Sequence, residues 1–111
     1  MHITFDEQPG YAVISLEGRM DAGNAGEFNK AFEAALQKAP KILLVDLGNL
    51  EYISSAGLRS VLTLAKAAKA ASVALRFCCM RPMVADVFKV SGFSAMLSVF
   101  DDRQAALAGA G

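Results

Sequence analysis

Residues 41–47, KILLVDL, are a short, nearly unbroken apolar run between Pro40 and the Gly48-Asn49 pair. A run of this length without polar alternation predicts a strand covered on both faces, as in the parallel part of a sheet. Parallel strands need crossover connections, usually helical, and the flanking sequence supplies them. Upstream, Phe28, Phe32, Ala35 and Leu36 fall on one face of a helix that must stop before Pro40. Asn24 followed by Glu27 has the spacing of a capping box at its start. Downstream, Leu58, Val61, Leu62, Ala65 and Ala68 recur at helical spacing, with Lys66 and Lys69 towards the other face.

The other segments complete an α/β domain. Residues 2–6 and 11–17 alternate apolar with polar and flank EQPG, which predicts a hairpin or a closely related strand pair. SVALRFC reads as another strand, and Pro82 suits the first turn of a helix that carries Val84, Val87 and Phe88 and is closed by Gly92. MLSVF is a final strand, and Asp101 is expected to cap a short last helix through Leu107. The order is roughly ββαβαβαβα, a mixed β-sheet with helices packed on it. With 111 residues, 54% of them hydrophobic, the chain 1–111 suffices for one domain with its own core, and residues 108–111 are expected to fray.

Eleven basic residues balance eleven acidic ones, so no broad field exists to hold nucleic acid or an anionic membrane, and neither is expected as a partner. There is no basic leader with an apolar core and no apolar run near the ~20 residues of a membrane span, which predicts a cytoplasmic protein. The only cysteines, Cys78 and Cys79, are adjacent. In a strand they would point to opposite faces, which predicts reduced, partly buried thiols and neither a disulfide nor a metal site.

Sites in such sheets form in loops at the carboxyl ends of parallel strands, and GNLEYISSAG lies between strand 41–47 and helix 58–70. Ser54 or Ser55 can cap the helix, and Gly57 lets other groups approach its first turn closely. Capping accounts for only one of the two serines. Nucleophilic catalysis would need a base, yet the one histidine, His2, is far along the sequence, so no enzyme is expected. Asp21, Asp46 and Glu51 carry no ligand pattern, and GNAG lacks the Walker lysine, so no metal or cofactor is expected either. If Asn24 and Glu27 cap the first helix, Asp21 is free to face a partner or to orient the serine loop. Met80, Met83, Phe88 and Phe93 have the spacing of core residues more than of a binding patch.

Three stretches together resemble the STAS domain of bacterial anti-sigma factor antagonists: DLGNLEYISSAGLRSVL, EGRMDAGNAGEF and VFKVSGFSAMLSVF. They resemble that family's strand-to-helix serine signature, its Gly-x-apolar-Asp loop and its late Ser-Gly corner, in order and over nearly the whole chain. The resemblance implies a partner-switching protein. In this family the unphosphorylated domain binds an anti-sigma factor that is also a serine kinase, phosphorylation releases it, and a PP2C-type phosphatase resets it. Carried onto this chain, the phosphoacceptor is Ser55, with Ser54 the second candidate. Asp21 and Asp46 match the acidic positions that flank the site, and Ser54, Ala56, Gly57 and Arg59 belong to the partner surface. Ser54 stands where relatives often have Asp, and Ala56 and Arg59 replace residues that are often Ser or Thr and Gly. The free protein is expected to be monomeric. The competing expectation is a constitutive STAS interaction or small-ligand module within a larger transport or sensory assembly.

Overall fold

The computed structural model describes residues 1–108. Of the tail expected to fray, residues 109–111 lie outside the described residues, while Ala108 still donates its N–H to the Ala105 carbonyl. Five strands form one sheet in the order β1-β2-β3-β4-β5: β1 (His2–Gln8), β2 (Tyr11–Met20), β3 (Ile42–Ile53), β4 (Ala74–Cys78) and β5 (Ser98–Phe100). β1 and β2 are the expected antiparallel hairpin around Pro9-Gly10, and the other neighbours pair in parallel. The helices are α1 (Ala25–Gln37), α2 (Ser55–Ala70), α3 (Pro82–Val90), α4 (Phe93–Met96) and α5 (Arg103–Ala106).

Strand alternation divides the core between the two sheet faces. Ile14, Leu16, Leu43, Val45 and Phe77 point to the face covered by α1, α2 and α3, where they meet Phe28, Phe32, Val61, Leu64, Val84 and Phe88. Val13, Leu44 and Cys78 point to the opposite face, under Ala106 of α5. Residues Ile42 to Val45 are all buried, which is why the centre of β3 reads as a continuous apolar run. Phe88 lies in the core, edge-on to Phe77 and Phe93 at 6.0 and 5.9 Å; Met80 and Phe93 pack partly against it, and Met83 is exposed.

Several local details differ from the sequence reading. β3 does not end at residue 47 but continues to Ile53, because β2 runs on beside it. From Asp46 to Ile53, β3 advances seven residues while β2 advances five, from Ser15 to Met20, so β3 carries two extra residues as bulges. The bulges rotate the side chains, so that Leu47, Leu50 and Ile53 all reach the same core at spacings of three. The Asp46 carboxylate supports the first bulge, accepting the Gly48 N–H at 2.8 Å through Oδ1. A Cβ on Gly48 would lie 3.1 Å from that oxygen. From the neighbouring loop, Arg81 Nε donates to the Gly48 carbonyl at 2.9 Å.

The capping box at residues 24–27 is not formed. Asn24 is the N-cap residue of α1, but its side chain turns back to the end of β2, accepting the Asp21 N–H at 2.9 Å and donating to the Arg19 carbonyl at 2.7 Å. Those backbone groups sit where the strand ladder stops, so the amide satisfies them in preference to the helix. Gly92 closes α3 with φ +84°, as expected, but a short extra helix, α4, precedes β5. The last helix is capped by Asp102 in place of Asp101, with its Oδ1 accepting the Ala105 N–H at 2.8 Å. A single residue of register decides which acid lies three positions before a free N–H.

Asp46 Oδ2 also accepts from Arg103 Nε at 2.6 Å, and Arg103 Nη2 reaches Ser15 Oγ at 3.0 Å, tying α5 to the sheet. Asp46→Ala leaves the Gly48 N–H without its acceptor and Arg103 unpaired, and should cost about 1–3 kcal/mol. Asp46→Asn, which keeps an oxygen for Gly48, should cost less. Urea unfolding midpoints of the two variants measure the difference.

Candidate functional site

β2 and β3 end together, with Met20 opposite Ile53. The Ser54 N–H donates to the Met20 carbonyl at 2.9 Å, which places Asp21 and the serine turn side by side. Ser54 has an extended backbone and is the N-cap of α2: Oγ accepts the Gly57 N–H at 3.1 Å, and its carbonyl accepts the Leu58 N–H at 2.9 Å. Ser55 is therefore the first residue of the helix, exposed, with no hydrogen-bond partner for its hydroxyl among the described residues. The two serines, equivalent in the sequence, have different surroundings.

Gly57 fixes how closely the helix sits on the strand ends. A Cβ there would lie 2.8 Å from Ile53 Cγ1 and 3.1 Å from both Met20 Cγ and Sδ. Its backbone φ is not positive, so the requirement is for space and not for conformation. The first turn of α2 carries no acidic residue, and the Ser55 and Ala56 N–H groups belong to the positive end of the helix dipole.

Asp21 lies in the same cluster, partly buried, with Oδ1 accepting the Gly23 N–H at 2.9 Å. Its carbonyl takes the Asn24 and Ala25 N–H groups at 3.2 and 2.9 Å, so backbone and side chain together shape the start of α1. Although Asn24 does not cap with its side chain, Asp21 does not do so in its place. Ala56 is half-buried, and Arg59 is exposed without an ion pair among the described residues.

The structure thus brings Asp21, Ser54, Ser55, Ala56, Gly57 and Arg59 together, and places Asp46 elsewhere. Asp46 projects from the middle of β3 towards α5, on the sheet face opposite α2. Beside the cluster, Leu58, Asp86, Val87, Val90 and Ser91 line a shallow apolar groove that runs from the first turn of α2 to α3. Val90 is 89% exposed and Met83 62%. The sequence reading missed this groove because Val87 and Val90 follow the same helical spacing as the core residues Val84 and Phe88; only the orientation of α3 on the sheet separates them.

The STAS domain family model matches residues 2–106. The chain belongs to the STAS domain family. BtrV of Bordetella bronchiseptica, which carries the name of an anti-sigma factor antagonist, is 37% identical over 108 residues, covering 97% of this chain and 93% of that protein. A crystal structure of an anti-sigma factor antagonist from Mycobacterium paratuberculosis superposes with a TM-score of 0.89 at 18% identity, covering 98% of this chain and 92% of the other. Unphosphorylated SpoIIAA superposes with a TM-score of 0.80 at 18% identity, covering 97% of this chain and 96% of its own. The phosphorylated form of SpoIIAA, a Bacillus cell fate determinant, superposes at 0.71 with 19% identity, covering 94% and 96%. At these identities the solved structures establish a shared STAS fold.

The assigned roles separate in stability measurements. Gly57→Ala forces a methyl group into Ile53 and Met20 and should cost about 1–3 kcal/mol. Ser54→Ala removes the cap and should cost about 1 kcal/mol. Ser55→Ala should stay within about 0.5 kcal/mol, as for an exposed position without contacts. Denaturant unfolding of the three variants should give that ranking.

Proposed function

We propose that this STAS domain is an anti-sigma factor antagonist that works by partner switching, with Ser55 as its phosphoacceptor. The unphosphorylated domain binds an anti-sigma factor that is also a serine kinase; phosphate transfer from ATP to Ser55 releases it, and a PP2C-type phosphatase restores the hydroxyl. The observation that carries this reading is the division between the serines. Ser54 Oγ is committed to the Gly57 N–H, whereas the Ser55 hydroxyl is exposed at the start of a helix fixed by close packing. The name carried by BtrV supports the antagonist part of this reading. The domain is then a substrate and not a catalyst, in line with the position of its one histidine, His2, exposed at the start of edge strand β1. Among the described residues no helix is long and apolar enough to cross a membrane. A kinase that draws on ATP is the ground for proposing that the exchange is cytoplasmic.

The switch follows from where the charge goes. Phosphorylation adds about −1.5 to −2 charges at neutral pH. In the free domain that charge sits beside open N–H groups and the positive end of the α2 dipole, with no acid in the first turn to oppose it. In the complex it must be desolvated against a surface fitted to a neutral hydroxyl and to the apolar groove beside Leu58. A hundredfold loss of affinity requires only about 2.7 kcal/mol, within the cost of one poorly paired buried charge. Release therefore needs no change of fold.

Incubation with the cognate kinase and ATP should add one phosphate, mapped to Ser55 by peptide mass spectrometry; a phosphate on Ser54 would overturn the assignment. Ser55→Ala should bind the kinase with unchanged affinity and persist in the complex when ATP is added. A constitutive module would show neither phosphate uptake nor ATP-dependent release. Amide chemical shifts on phosphorylation should change around residues 54–60 and the adjoining Asp21 loop, and little elsewhere. Asp21→Ala should lower kinase affinity or phosphorylation rate by more than its loss of the Gly23 hydrogen bond lowers stability, read by parallel binding and unfolding measurements.

A further inference from the structure

At the carboxyl end of β4 the expected alternation of the two cysteines fails. Cys79 has φ +69°, a left-handed conformation that a residue other than glycine seldom adopts, and this folds its side chain back onto the face of Cys78. The two sulfurs lie 2.8 Å apart, and both thiols are free. With the Asp46 carboxylate they form a cluster whose ligand atoms all lie within 4.8 Å of one another. A cation does not suit this cluster, because Asp46 already accepts from Gly48 through Oδ1 and from the Arg103 guanidinium through Oδ2. What remains is the chemistry of two thiols held in contact.

We propose that Cys78 and Cys79 are a redox-active vicinal dithiol that closes to an intramolecular disulfide under a two-electron oxidant of the peroxide class. The Cys79 sulfur, partly exposed, attacks one peroxide oxygen; the O–O bond breaks, an S–O bond forms, and hydroxide leaves to take up the thiol proton as water. The Cys78 sulfur, 0% exposed and already in contact, then attacks the sulfenic sulfur; the S–S bond forms, the S–O bond breaks, and a second water leaves with the Cys78 proton. Two thiols and one hydrogen peroxide become one disulfide and two waters. Closure from 2.8 Å to a bond of about 2.05 Å needs a movement below 1 Å.

The fold makes the reaction slow and reversible. Burial pushes both thiols above their ordinary range, which keeps thiolate scarce and the first step slow at neutral pH. Consecutive Cα atoms are only about 3.8 Å apart, short of the usual span between bridged cysteines, so the closed ring is strained and a cellular thiol reopens it. Its effects should fall on Asp46, on Arg103 and on Phe100, whose carbonyl accepts the Cys79 N–H. The site is thus separate from Ser55.

The test treats the native full-length chain with hydrogen peroxide, then alkylates it under non-reducing denaturing conditions. The expected product is monomeric, lighter by two hydrogens, unalkylated at both cysteines, and returned to two alkylation sites by dithiothreitol. Cys78→Ser should instead stop at a Cys79 sulfenic acid that dimedone traps. Wild-type protein that still takes two alkyl groups, that accumulates sulfinic acid on Cys79 with Cys78 free, or that forms covalent dimers would overturn the proposal.

Discussion

The parallel pairing of β2 with β3 is the constraint on which the rest of the domain depends. Both strands outlast their neighbours, and both bury side chains on two faces where α1, α2 and α5 cover them. Two bulges in β3 let a strand with two extra residues end level with its partner. Level ends put Ser54 on the Met20 carbonyl and start α2 directly against the last turn of the sheet. The first bulge holds because its polar groups are satisfied: Asp46 accepts the Gly48 N–H, and Arg81 donates to the Gly48 carbonyl. An acid in the middle of β3 thereby shapes the turn that emerges beyond the strand's carboxyl end, without touching it.

A rigid site suits the proposed switch, which acts by charge alone. Ser54 caps the helix, Gly57 presses it onto Ile53 and Met20, and Asn24 ties Asp21 to the end of β2. These contacts leave few local degrees of freedom for a phosphate to alter. Added charge is then expressed where it meets a partner, as desolvation and repulsion at the contact surface. The two SpoIIAA structures, phosphorylated and not, share this domain's fold.

Much of this architecture was legible in the sequence because burial writes itself as periodicity. The unbroken run around Leu43 to Val45 reported a strand covered on both faces, and the spacing of Phe28, Phe32 and Ala35 reported the inner face of α1. The illegible features are those set by competition between neighbours in space. Asn24 has the residue type and spacing of a capping box, but unpaired backbone at the end of β2 outbids the helix for its amide. The continuation of β3 through Gly48-Asn49 depends on β2 running alongside, and that pair alone reads as a turn. The contact of Cys79 with Cys78 depends on a single positive φ, which no pattern of residue types announces.

If a kinase acts on this turn as proposed, it must choose between two adjacent hydroxyls, and the cap distinguishes them. For Ser54 to attack ATP, its oxygen must first leave the Gly57 N–H, a hydrogen bond that the Ser55 hydroxyl does not have to break. Phosphorylating Ser55 gives up nothing, because its hydroxyl has no internal partner. A serine cap also differs from an aspartate cap in carrying no charge. The phosphate at Ser55 then meets the helix dipole without a carboxylate one residue away, so this chain should hold its phosphorylated form with less internal repulsion than a domain capped by Asp. The occupied cap at Ser54 and the free hydroxyl at Ser55 are thus the grounds in this structure for proposing Ser55 as the acceptor.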